Sequence, residues 1–237
     1  MTQSNKNSNN IPHTARPVKV WDVPTRLFHW LLVVLVTTSF VTAKIGGNLM
    51  TTHMISGYLV LTLLVFRIMW GVFGGLHARF VSFVCSPVAV LRYAATITRI
   101  GAPRYLGHNP LGGWSVITML TVLLIQASTG LFASDDIFTE GPLYPLVSNA
   151  ISSTLTRIHN INATVIGCLV AVHVAAVLFY LLVKGENLIK PLFTGFKVWQ
   201  GEAPPCGGNL WIAALAAAIS SLIVYLLVSL MPMLTPV

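Results

Sequence analysis

The sequence predicts an all-α membrane protein: four transmembrane helices in a bundle, a fifth C-terminal transmembrane helix and one short interfacial helix. Three observations predict it. Of 237 residues, 55% are hydrophobic and only 8% charged, against about 25% charged in a typical soluble domain. Five apolar stretches are long enough to cross a hydrocarbon core about 30 Å thick. The basic residues fall beside those stretches on alternate connections, so the net charge of +8 reads as membrane topology and not as a nucleic-acid surface.

Residues 1–17 are polar, with no apolar run of the signal-peptide kind, and read as a disordered cytoplasmic tail. The first span is Thr25 to Ala43, the second His53 to Val72, and the third Gly113 to Ala133. The fourth runs from His159 to Val183 and the fifth from Leu210 to Leu230. Pro87 to Ile100 is too short to span, and carries Arg92 and Arg99 among apolar residues. It reads as the interfacial helix, with Ser86 as N-cap and Pro87 in its first turn. Three domains follow: the tail at 1–17, the four-helix unit at 18–200, and a loop with the fifth helix at 201–237.

Charge sets the orientation. Lys6, Arg16, Lys19 and Arg26 precede the first span. Arg67, Arg79, Arg92, Arg99 and Arg104 attend the second connection, and Lys184, Lys190 and Lys197 follow the fourth span. Twelve of the fourteen basic residues therefore share one side. The other side has Lys44, Arg157 and the acidic residues Asp135, Asp136 and Glu140. The positive-inside rule then predicts a cytoplasmic N-terminus and a periplasmic C-terminus in a bacterial inner membrane.

Ionisable groups inside a span are costly and point to function. His159 and His173 are fourteen residues apart in one span, which brings them to within about 40° of one helix face and about 21 Å apart along its axis. One is outer and one inner. His29 lies about one turn into the first span, at the inner level. His53 opens the second span, at the outer level. Depth thus pairs His53 with His159 and His29 with His173. Two imidazoles from different helices at one depth are the axial set for a non-covalent haem b, and the full set would hold two. Bis-histidine ligation leaves no open iron site and favours electron transfer. Any one of these histidines alone reads equally well as a packing or pore-lining group; four at two matched depths single out the ligand reading. Zinc or copper would need three or four ligands converging at one level. Cys85, Cys168 and Cys206 are widely separated and form no CxxCH, so covalent haem attachment is unsupported.

Haem carries two carboxylates that need cations. Arg26 lies three residues before His29 and Arg157 two before His159. Arg67 lies fourteen residues after His53 on the same face, at the inner level. Each could neutralise a carboxylate by charge-assisted hydrogen bonds, or anchor topology instead. Gly57, Ala163 and Gly167, within two turns of ligands, leave room for a macrocycle or for close helix packing. His108 and Asn109 sit in a turn before the third span. They either shape that entry or line a quinone pocket beside the inner haem.

Four stretches make the chain resemble the prokaryotic cytochrome b561 family, over residues 18 to 200. They are Val20-Trp21-Asp22 leading to Arg26 and His29-Trp30; His53 with Gly57, Arg67 and Trp70-Gly71; Gly107-His108-Asn109-Pro110-Leu111-Gly112-Gly113-Trp114; and Gly185-Glu186-Asn187-Leu188-Ile189 with Gly195 and Lys197. The resemblance implies a four-helix core, two non-covalent haems b on His29, His53, His159 and His173, and electron exchange between a redox partner and the quinone pool. That partner would be a c-type cytochrome or hydrogenase subunits, since the family includes hydrogenase cytochrome subunits. The expected function is a dihaem b-type cytochrome moving electrons across the bilayer, in contact with lipid and quinone. The alternatives are a stand-alone oxidase of superoxide or another small reductant, and a metal or proton transporter with a histidine relay.

Overall fold

The computed structural model describes residues 15–97, 103–135, 137 and 139–230. Residues 1–14 of the predicted tail, residues 98–100 of the predicted interfacial helix, Asp136 and residues 231–237 lie outside the described residues. Seven helices and two short strands follow in order: β1 Arg16–Lys19, α1 Val23–Ile45, α2 Met50–Phe73, α3 Pro87–Ala94, α4 Pro110–Gly130, α5 Asn149–Leu182, α6 Ile189–Thr194, β2 Phe196–Trp199 and α7 Leu210–Ser229. Five of them, α1, α2, α4, α5 and α7, are long and apolar enough to cross a membrane.

Polar caps fix where these helices begin. Asp22 Oδ1 accepts from Thr25 N at 2.8 Å ahead of α1, and Asn109 Oδ1 accepts from Gly112 N at 2.7 Å ahead of α4. Ser86 and Ser148 cap α3 and α5 in the same way. Each satisfies a first-turn N–H that has no partner within its own helix. α2 is the centre of the packing, with α1, α4 and α7 against it, while α5 packs along α4. Val60 and Leu64 of α2 meet Leu123 of α4 and Ile166 of α5 in one buried cluster. α7 brings small residues to α2: Ala213 and Ala216 join Phe66 and Trp70 in a second cluster, and Ser220 is fully buried. Small side chains allow that close approach.

Three expectations need correction. The fourth span was expected to open at His159, but α5 begins at Asn149 and has 34 residues. At about 1.5 Å per residue it is about 51 Å long, well beyond an apolar core about 30 Å thick. Its first turns carry Asn149, Ser152, Ser153 and Thr154, which hydropathy alone assigns to a loop. The chain is also not wholly helical, nor is the tail unstructured up to residue 17. Arg16 and Pro17 belong to β1, which pairs antiparallel with β2, Arg16 opposite Trp199 and Lys19 opposite Phe196. Gly195, at φ 87°, turns α6 into β2, and its carbonyl accepts from Val20 N at 2.8 Å. The left-handed φ suits glycine, which has no Cβ to clash. This pairing ties the entry of α1 to the exit of α5.

Candidate cofactor site

Of the two expected histidine pairs, one is in ring contact. His53 and His159 face each other with ring centres 6.2 Å apart and planes at 86°. His53 Nδ1 is 2.9 Å from Ser39 O of α1, and His159 Nδ1 is 3.0 Å from Gln126 O of α4. With the proton on Nδ1, each ring donates to a main-chain carbonyl of a neighbouring helix. Each Nε2 then keeps its lone pair, the tautomer that a metal ligand needs. The polar surroundings of His159 agree. Asn162 Nδ2 donates to Gln126 Oε1 at 2.8 Å, which turns the Gln126 amide nitrogen toward His159 Nε2, 3.0 Å away. His29 of α1 lies within electrostatic range of His173 of α5, and its Nδ1 is buried with no hydrogen-bond partner.

These donors fit haem. Two imidazole nitrogens each about 2 Å from one metal ion put the ring centres about 6 Å apart, close to the outer separation. The helix that carries His159 and His173 packs mainly along α4, and Ile166 brings it to the α2 cluster of Val60 and Leu64. A Cβ built on Gly57, one turn past His53, meets no atom within 4 Å, and neither does one on Gly167. Among the described residues no three His, Cys, Asp or Glu side chains converge as a metal cluster.

The three arginines differ. Arg67 is 3% exposed and lies over the Phe80 ring at 4.9 Å and the Phe28 ring at 6.0 Å. Its Nη1 is buried without a hydrogen-bond partner among the described residues. Arg26 is tied to the carbonyls of Leu192 and Phe193 at the end of α6, so it clamps that helix. Arg157 is exposed and lines a groove of about 520 Å³ with Ser134, Ser152, Ser153, Thr156, Asn160 and Ile161.

Asn109 does more than cap α4. Its Nδ2 donates to Tyr180 OH at 2.9 Å, and Tyr180 OH is 2.8 Å from Tyr93 OH, which joins α3, α4 and α5 at the inner end. The His108 ring lies 4.8 Å from Trp21 and 4.5 Å from Phe83, centre to centre. Burial, then Arg67, then His77, push His108 down to about 3, so it is neutral at pH 7.

Sequence reasoning missed Ser39, Gln126, Asn162 and the hub around Asp22. Trp70, fully buried, donates its Nε1–H to Asp22 Oδ2 at 3.2 Å. Gln126 and Asn162 had a signal, since uncharged polar residues in apolar spans also need partners. The hub had none, because its members are 48 residues apart.

Comparison with known proteins identifies the family of the chain. The family model described as prokaryotic cytochrome b561 matches residues 20–195. A probable Ni/Fe-hydrogenase B-type cytochrome subunit of Rhizobium leguminosarum bv. viciae is 23% identical over 222 aligned positions, covering 77% of this chain and 90% of that protein. A protein of the same description from Cupriavidus necator is 22% identical over 215 positions, covering 76% and 87%. No solved structure matches. The chain belongs to the prokaryotic cytochrome b561 family and is a multi-pass membrane b-type cytochrome of electron transfer.

Proposed function

We propose that this member of the prokaryotic cytochrome b561 family conducts electrons across the bilayer through two non-covalent haems b. His53 and His159 would hold the outer one, and His29 and His173 the inner one. The observation that carries this is the outer pair: two imidazoles 6.2 Å apart, each with Nδ1 on a main-chain carbonyl and Nε2 turned to acceptor. Haem supplies one-electron chemistry. The protein fixes the tautomers, keeps the rings apart at one depth and closes the axial positions.

On this reading residues 18–200 are the haem-bearing unit, and α7 with residues 201–237 is an addition packed on α2. α3 lies along the cytoplasmic interface. The N-terminus is cytoplasmic and the C-terminus periplasmic, as the distribution of basic residues supports. Arg67 is the buried counter-cation of the inner haem, and Arg157 serves the outer one from the aqueous edge. Quinone meets the inner end at the His108–Asn109 segment, where Asn109 keeps one amide N–H beyond that given to Tyr180. The names of the two relatives support hydrogenase subunits as the redox partner, with a c-type cytochrome as the other candidate.

The test is pigment stoichiometry with variants. Acid acetone should extract two haems b per chain. Replacing His53 or His159 with Ala should remove one spectral component, and replacing His29 or His173 the other. A single extractable haem, or loss of the same component from His29→Ala and His53→Ala, refutes the assignment.

A further inference from the structure

Six buried side-chain N or O atoms lack a hydrogen-bond partner among the described residues: Thr25 Oγ1, His29 Nδ1, Arg67 Nη1, His77 Nε2, Arg79 Nε and His108 Nδ1. All six lie at the same end of the bundle, on the first turns of α1, the last turns of α2, the loop after it and the turn before α4. Buried polar groups are nearly always paired, so orphans gathered at one end mark a ligand's place.

Four of the six orphans belong to basic side chains that form one cluster. Trp21 joins two of them, with His77 at 6.4 Å and His108 at 4.8 Å between ring centres. Gly107 keeps the two loops close: a Cβ there would stand 2.9 Å from His77 Nδ1. Arg67 lies within electrostatic range of His108, as does His77. Arg79 follows His77 by two positions, and Phe80, next in the chain, stacks on Arg67. The acid that faces His77 and Arg67 is Asp22. Its carboxylate already accepts from Thr25 N and Trp70 Nε1. The cluster therefore offers two donor-only guanidinium groups, and each of its imidazoles can place an N–H on its orphaned nitrogen. Its ligand must be an anion, and two carboxylates would suit four such donors.

We propose that Arg67, His77, Arg79 and His108 form the cradle that holds the propionate carboxylates of the inner haem. The inference rests on the two-haem reading above. It adds His77 and Arg79, which the sequence did not single out as cofactor residues, and gives His108 Nδ1 a partner. The Phe28 ring that Arg67 touches belongs to the residue just before His29, so the cradle and the inner axial ligand share one end of α1.

The experiment uses the full chain in detergent, loaded with haem b or with its dimethyl ester, which keeps the macrocycle and iron but neutralises both carboxylates. Retention of the inner component is read from its spectrum during competition with a soluble haem-binding protein. Haem b should be held about tenfold more tightly than the ester at the inner site, the size of one lost charge-assisted hydrogen bond. Arg79→Gln and His108→Gln should each weaken haem b by a similar factor and leave the ester unchanged, while Arg79→Lys keeps most of the affinity. The unmutated chain tests the idea even if a variant fails to fold. Equal retention of ester and haem b overturns the cradle, as do variants that weaken both alike, which would mean that these residues only pack the loop. A chain that binds one haem overturns the two-haem reading itself, and this inference with it.

Discussion

Replacing Asp22 with Ala should unfasten the inner end of the bundle. Asp22 is 4% exposed, and its carboxylate makes two kinds of bond. It caps α1 through Thr25 N at 2.8 Å and receives the Trp70 indole N–H at 3.2 Å. Loss of a carboxylate N-cap costs about 0.5–2 kcal/mol. A buried indole N–H left without an acceptor costs about 1–3 kcal/mol more. The sum is about 1.5–5 kcal/mol. At about 2–4 °C per kcal/mol for a chain of this size, the melting midpoint should fall by about 3–20 °C. Asp22→Asn keeps an oxygen at the same place and should recover most of that loss. Thermal melts in detergent, followed by tryptophan emission, read this directly, since Trp70 has no exposed surface. His29 sits seven residues along the same helix, so on the proposed two-haem reading the inner haem should be lost at a lower temperature than the outer one. If Asp22→Ala melts like the unmodified chain, the hub carries no load. If Asp22→Asn is as damaged as Asp22→Ala, the charge beside Arg67 matters and the hydrogen bonds do not.

Four further outcomes follow. Cys206 is 5% exposed, its Sγ–H is directed at Val20 O at 3.1 Å, and burial, with Asp22 beside it, raises its thiol above the usual range. The thiolate is therefore disfavoured at pH 8, and iodoacetamide should leave Cys206 unmodified until the chain unfolds; mass spectrometry showing early labelling would contradict that. A Cβ at Gly71 would overlap the Phe80 ring, so Gly71→Ala should destabilise by about 1–3 kcal/mol and push that ring off Arg67. Gly57→Ala meets no protein atom, so it should melt no lower than the unmodified chain yet bind less haem at the outer level, which pigment analysis reads. Ser220 is fully buried against Met69, with Oγ 3.6 Å from Sδ. Ser220→Leu should loosen α7 and increase its proteolysis while both haem spectra persist; loss of either spectrum would place α7 within the haem-bearing unit.

The five spans and the meeting of His53 with His159 were legible because both rest on quantities that do not depend on the tertiary fold. Helix rise is constant, and the bilayer fixes a vertical scale. His53 and His159 meet across 106 positions for that reason alone. Features set by chain packing outside the bilayer had no such ruler. β1 and β2 are four residues each and about 180 apart in sequence. The clamp of Arg26 on the α6 carbonyls and the Asn109–Tyr180–Tyr93 chain need loops to arrive from far along the sequence. His77 lies outside the spans, and its Nε2 has no hydrogen-bond partner among the described residues, which only three dimensions show. The start of α5 at Asn149 was missed for a different reason: its first turns are polar, and hydropathy reports the solvent around a helix and not the helix itself.

The two ends of the bundle differ in what surrounds the histidines, and the difference has a direction. At the outer level both Nδ1 atoms lie on neutral main-chain carbonyls. Such a bond makes an imidazole a stronger donor and favours the oxidised iron. At the inner level no such carbonyl reaches His29 Nδ1, and the buried guanidinium of Arg67 stands one helix away. A nearby cation favours the reduced form. On the proposed reading the inner haem therefore has the higher potential, and electrons delivered at the periplasmic side run downhill toward the cytoplasmic end and quinone. The sign follows from the protein alone, whichever partner supplies the electrons. Redox titration checks it: His29→Ala should remove the higher-potential component, and Arg67→Gln should lower that component and leave the other in place. If His53→Ala removes the higher-potential component instead, the electrostatic order is reversed and the downhill direction with it.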